Sequence, residues 1–150
     1  MFRIRGSRPD EGQRVIDIWC EAVDATHHFL SAEDRAAIEQ EVRGFLPAVP
    51  LWVAVDEADR AIAFLLIADG HMEALFVDPA FHGQGVGAAL VRHALGMHPA
   101  MTTDVNEQNG AAIGFYERMG FRRTGRSPRD GQGRPYPLIH LVHAGAANAG

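Results

Sequence analysis

The segment Val77-Asp-Pro-Ala-Phe-His82-Gly-Gln-Gly-Val-Gly87-Ala-Ala-Leu90 constrains this chain more than any other. An apolar run, His71–Val77, leads into it, and an apolar-periodic stretch reaching about Met97 leaves it, so it joins a strand to a helix. Glycine admits backbone angles closed to other residues and lets a ligand approach the main chain. The first N–H groups of a helix have no partner inside it, and with the helix dipole behind them they suit an anion. Strand, glycine turn and helix start together form a cradle for a pyrophosphate. It is not a Walker A loop, because no Gly-Lys-Ser/Thr is present. It is not a dinucleotide fingerprint either: Gly83-x-Gly85-x-Gly87 has the wrong spacing and lies mid-chain. Taken alone, the motif is also compatible with a helix-opening turn that holds nothing.

The rest of the chain supplies the context. Phe2 and Ile4 alternate with arginines as a short strand does, and a helix opens near Pro9 and Asp10 with Val15, Ile16, Ile18, Trp19 and Val23 on its apolar stripe. Asp24–Leu30 breaks the period. Ser31 caps a second helix, with Asp34 three residues on, and Pro47 and Pro50 end it. Leu51–Val55, Ala61–Ala68 and His71–Val77 are three successive strands with turns at Asp56–Arg60 and Asp69–Gly70, an antiparallel meander. After the glycine turn and its helix come a strand over Met101–Val105, a helix over Gly110–Met119, and a final strand pair, Phe121–Thr124 and Leu138–Val142. Gly145–Gly150 is expected to fray. The order β-α-α-β-β-β-α-β-α-β-β, with helices among antiparallel strands, predicts an α+β fold on a mixed sheet.

No repeat or linker interrupts the 150 residues, and 47% are hydrophobic, so one domain spanning 1–150 is expected. The net charge of -5 and the absence of any basic run argue against a nucleic-acid partner. All 14 basic residues are arginine. No apolar run is long enough to cross a membrane and no leader peptide is visible, so a cytoplasmic location is expected. The single cysteine, Cys20, has no activating partner nearby in sequence and is expected to be an inert packed residue, as are Trp19 and Trp52.

Two segments together carry a resemblance. Val77-Asp-Pro-…-His82-Gly-Gln-Gly-Val-Gly87-Ala-Ala-Leu resembles the acetyl-CoA motif of the GCN5-related N-acetyltransferases, and Asn106-Glu-Gln-Asn109-…-Phe115-Tyr116-Glu-Arg-Met-Gly120-Phe121 resembles that family's second motif. Element order agrees across nearly the whole chain, and His27-His-Phe-Leu30 with Gly133-Arg-Pro-Tyr-Pro137 is similar to small bacterial members. His82 departs from the usual Gln or Arg, which removes a fixed charge from the phosphate site and predicts pH-sensitive CoA binding.

The resemblance implies an N-acetyltransferase that moves the acetyl group of acetyl-CoA to an amine by direct attack, with no metal. The backbone of Leu75, Phe76 and Val77 would pair with the pantetheine arm. His82, Gly83, Gln84, Gly85, Val86, Gly87 and Ala88 would hold the pyrophosphate, Asn109 would bond the CoA arm, and Phe115 would line it. Tyr116 would be the general acid for the departing thiolate, since a phenol is protonated at neutral pH. His71 and Glu73, two apart and so on one strand face, are alternative general bases acting through water. Asp24, Thr26, His27, Asn106 and Tyr136 are the candidate acceptor contacts. The acceptor would be a small-molecule amine or a peptide, and the protein a monomer or homodimer. A CoA-binding sensor or partner subunit without turnover is the competing reading; a thiolate acid at Tyr116 argues against it.

Overall fold

In a computed structural model, residues 2–143 are described, and the predicted tail falls outside them. Seven strands are hydrogen-bonded in the order β1-β2-β3-β4-β5-β7-β6. They are β1 (Arg3–Gly6), β2 (Trp52–Val55), β3 (Ala61–Ala68), β4 (His71–Val77), β5 (Thr102–Asn106), β6 (Phe121–Ser127) and β7 (Leu138–His143). Four helices accompany them: α1 (Gly12–Thr26), α2 (Ala32–Phe45), α3 (Val86–Met97) and α4 (Gly110–Arg118). The mixed sheet and element order match the α+β expectation. The residues group into two units, one from Met1–Leu66 and Ala74–Leu90, the other from Ile67–Glu73 and Val91–Gly150. The boundaries fall inside β3, β4 and α3.

In the first unit, β1 pairs antiparallel with β2, and β2 with β3. One face of α1 supplies the core: Val15, Ile16, Ile18, Trp19 and Val23 pack with Val53, Val55 and Phe64 of the strands and Val42 of α2. Fully burying each such side chain contributes roughly 1.5–3 kcal/mol. Residues Ala61–Leu65 of β3 are buried without alternation, as in a strand covered on both faces. Ser31 caps α2 as its position predicts, its Oγ accepting from the Asp34 N–H at 3.1 Å. Asp59 sits at φ 65°, where the β2–β3 turn needs a residue that tolerates left-handed backbone. Its carboxylate is bound by Arg3, Arg5 and Arg8.

The second unit has β4 parallel to β5, β5 antiparallel to β7, and β7 antiparallel to β6. Met101, Thr103, Val105, Ile139 and Leu141 form its buried face, with Ile113 and Tyr116 of α4 also buried. β6 extends to Ser127, beyond the predicted Thr124, through a register shift between Arg123 and Gly125. Its exposed arginines guard a strand at the end of the order, and they hide the period that would have shown its length. The β3–β4 turn has Asp69 at φ 51° and Gly70 at φ 75°, two consecutive positive angles as in a type I′ hairpin.

One polar clamp positions the glycine turn. Arg14 of α1 donates from Nη2 to Asp78 Oδ2 at 2.7 Å and from Nε to the Ala61 carbonyl at 2.8 Å. Asp78 ends β4: its N–H donates to Ile62 O at 2.8 Å, and its Oδ1 accepts from Ala80 N–H at 3.0 Å, starting a single 3-10 turn, Pro79–Phe81. Burial pushes the Asp78 carboxyl up, but the hydrogen bonds from Arg14 and Ala80 outweigh it and hold the group below its ordinary range. Its stabilisation is therefore present above about pH 4 and is lost on further acidification. Arg14→Met, which leaves that carboxylate buried and unpaired, is expected to lower unfolding stability by about 3 kcal/mol in urea titration. The double variant Arg14→Met/Asp78→Asn should lose less than Arg14→Met alone; an equal or larger loss would contradict the clamp.

Candidate active site

Beyond the clamp the chain enters the predicted cradle. The His82 N–H donates to Pro79 O at 3.2 Å, and its imidazole is exposed. Gly83 and Gly85 have φ of 76° and 80°, and a Cβ built at either meets nothing within 4 Å. The demand for glycine comes from backbone angle, and the space in front of the turn is open. Val86 is buried and anchors the start of α3, and Ala89 N–H donates to Gly85 O at 3.0 Å. The N–H groups of Val86, Gly87 and Ala88 precede that first helical bond and are the ones a helix start leaves over. No arginine or lysine lies between Asp78 and Val91, so the turn itself offers backbone dipoles and no fixed positive charge of its own. The open turn, the two positive angles and the helix start fit the pyrophosphate of CoA.

In the same unit, Phe76 of β4 faces Phe64, with ring centroids 5.6 Å apart, and His27 at 6.0 Å. His27 follows the last turn of α1, and its ring also lies 5.3 Å from Phe29. Thr26 Oγ1 is 2.7 Å from Ala22 O and 2.7 Å from His27 Nδ1. A hydroxyl has one proton and a carbonyl only accepts, so that proton goes to Ala22 and Nδ1 is the donor to Thr26. Burial, and to a lesser degree His28, lowers the His27 pKa below the ordinary histidine range. Asp24, predicted beside them, is bound by Arg35 of α2 at 2.8 and 3.3 Å, so its charge is already met.

In the second unit a polar row crosses the sheet. His71 Nδ1 lies 2.6 Å from Thr102 Oγ1, and its Nε2 is 3.4 Å from Asp104 Oδ2. Asp104 Oδ1 is 2.6 Å from His140 Nδ1, and His140 Nε2 is 2.6 Å from Ser127 Oγ. The surroundings of both His71 nitrogens are thus occupied, whereas Glu73 is exposed. Tyr116 is buried between two rings set edge-on to it, Phe115 at 5.1 Å and Phe121 at 5.4 Å. Burial raises its pKa, so the phenol stays protonated at neutral pH. Asn109 caps α4, its Oδ1 accepting from Ala112 N–H at 3.2 Å, which leaves its amide NH2 to donate. Asn106 and Tyr136 come from segments joined by the Glu107 N–H to Pro137 O bond of 2.8 Å, and Tyr136 is buried.

Sequence reasoning missed Arg14 and the His140–Asp104 pair. Arg14 has no local signal, because its partner lies 64 positions on. His140 and Asp104 become neighbours only through the β5–β7 register. For the cradle, Gly85→Ala is expected to weaken CoA binding at least tenfold in titration calorimetry while costing about 1 kcal/mol of stability, from the disfavoured angle. Gly96→Ala, on α3 with open space around it, should bind as wild type. Equal affinity in all three proteins would remove the cradle from CoA binding.

Known proteins resemble this chain in sequence and in fold. A family model described as an acetyltransferase (GNAT) domain matches residues 47–123. The chain is 56% identical over 146 residues, 97% of its own length and 99% of the other's, to the peptidyl-lysine N-acetyltransferase YjaB of Escherichia coli K12. The solution structure of apo-form YjaB from Escherichia coli superposes with a TM-score of 0.92 at 55% identity, covering 97% of this chain and 99% of that one. The PaiA N-acetyltransferase of Thermoplasma acidophilum, crystallised with coenzyme A, shares the fold at a TM-score of 0.77 and 17% identity, covering 95% of this chain and 98% of that one. This chain belongs to the GCN5-related N-acetyltransferase family and is an enzyme that transfers the acetyl group of acetyl-CoA to an amine.

Proposed function

We propose that the acceptor is the side-chain amine of a lysine within a peptide or protein. The observation that carries this is the match over nearly its full length, at 56% identity, to a protein named for that activity. The α1–α2 corner around His27 and the loop bearing Tyr136 are assigned to acceptor contact, with Asn106 and Thr26 as their polar neighbours. Leu75, Phe76 and Val77 pair with the pantetheine arm, a main-chain N–H of that stretch polarises the thioester carbonyl, residues His82–Ala88 bind the pyrophosphate, and Asn109 and Phe115 contact the arm. Such a preformed donor costs no reorganisation as charge develops on the oxygen.

Tyr116 donates its proton to the departing thiolate. Its burial supports this role by keeping the phenol protonated across the working range. Of the two base candidates, Glu73 is kept as a proton acceptor through water, and His71 becomes a structural partner of Thr102 and Asp104. Among the described residues no helix is long and apolar enough to cross a membrane. A cytoplasmic enzyme, working as monomer or homodimer, completes the proposal.

The test is acetyl-CoA turnover with lysine-containing peptides, read by free thiol release and by mass spectrometry of the modified position. The chain contains no lysine, so acetyl-lysine in the mixture can come only from the added peptide. Acetylation of the ε-amine is expected, with Tyr116→Phe reducing kcat at least tenfold at unchanged CoA affinity. Acetylation confined to free amino acids, polyamines or peptide α-amines would contradict the proposed acceptor, and undiminished turnover in Tyr116→Phe would remove the acid.

A further inference from the structure

The corner where α1 gives way to α2 holds a histidine in one defined state. The chain Ala22 O, Thr26 Oγ1, His27 Nδ1 fixes the proton on Nδ1. Nε2 therefore carries the lone pair, and no donor among the described residues occupies it. The ring lies against Phe29 and Phe76, and Phe76 belongs to the stretch assigned above to the donor's arm and carbonyl. The charged and titratable groups around the ring are few. Asp24 on α1 is bound by Arg35 of α2, His28 directs Nε2 to Ala25 O at 2.9 Å, and β4 presents the apolar Phe76 ring. No carboxylate is placed to hold a positive charge on His27 at rest. Burial favours the neutral ring in the same direction.

We propose that His27 Nε2 touches the acceptor amine and removes its proton. The inference rests on the lysine-acceptor reading and puts His27, in direct contact, in the place of Glu73 as the proton acceptor. The ammonium passes one proton to Nε2, which leaves a nitrogen lone pair and an imidazolium. The nitrogen attacks the thioester carbonyl carbon, and the C–N bond forms as the C–S bond breaks. The leaving thiolate takes the Tyr116 proton, and the second proton on the new amide nitrogen restores the phenol. The imidazolium then releases its proton to water, so each turnover yields one amide, one free thiol and one proton. The Nδ1–H bond to Thr26 holds the ring while Nε2 takes up and releases the proton.

The experiment is kcat/KM for a lysine peptide from pH 5.5 to 10 with wild type, His27→Gln, Glu73→Gln and Thr26→Val, and CoA affinity for each. Wild type should be flat from an acid limb below about pH 6.5 up to the lysine pKa near about 10.4. His27→Gln should lose roughly 10²–10⁴-fold at pH 7. It should then climb about tenfold per pH unit as the free amine itself becomes available, with CoA affinity unchanged. Thr26→Val, which keeps the ring and removes only the acceptor for Nδ1–H, should lose several-fold. If His27→Gln fails to bind CoA, Thr26→Val carries the test, and wild-type kinetics there would overturn the inference. A His27→Gln profile parallel to wild type, or a steep limb appearing in Glu73→Gln instead, also overturns it while leaving the acceptor reading intact. A wild type that acetylates no peptide lysine overturns that reading and this inference with it.

Discussion

The buried pair between Arg14 and Asp78 is the constraint that ties α1 to β3 and to the start of the glycine turn. Asp78 directly follows β4 and caps the 3-10 turn that leads into the glycine segment. All of its polar groups are committed: the N–H to β3, one carboxylate oxygen to the following 3-10 turn, the other to α1. Arg14 closes the arrangement by also binding a β3 carbonyl. Strand end, turn and helix are thereby locked into one geometry before any ligand arrives. That is what a site working by fixed dipoles requires, because dipoles that must first reorient stabilise little.

α1 extends this logic along its own axis. Arg14 lies near its start and His27 follows its end, so the helix places the clamp and the α1–α2 corner about 20 Å apart at 1.5 Å per residue. Its apolar stripe, seated in the core of the first unit, fixes where both ends fall. Arg14 and His27 are thus both tied to an element of the core. Several of the arginines are engaged in ion pairs, such as Arg3, Arg5 and Arg8 with Asp59.

Much of this was legible in the sequence because it is encoded locally. The glycine spacing named the turn, Ser31 and Asp34 named the start of α2, and Asp69-Gly70 named a hairpin whose two positive angles the structure contains. The motif with Tyr116 and Phe121 located α4 and the strand after it. What could not be read depends on partners distant in the chain. Nothing near Arg14 points to Asp78, and nothing near Asp24 shows that Arg35 neutralises it. The length of β6 was hidden by exposed arginines on both sides of its register shift. His71 looked like a base from its strand position, and only the β4–β5 pairing places Thr102 and Asp104 against its nitrogens. The tautomer of His27 is likewise a property of three groups in contact.

The central claim is that a preformed backbone cradle, reached from the end of β4, holds the acetyl donor. Amide hydrogen exchange of the full-length protein, with and without CoA, tests it most directly. The account predicts strong protection on binding at the N–H groups of Leu75–Val77 and of the turn and first helical residues through Ala88, with little change in β1 and the β2–β3 turn. Saturating CoA that leaves those amides exchanging as in the free protein would contradict it.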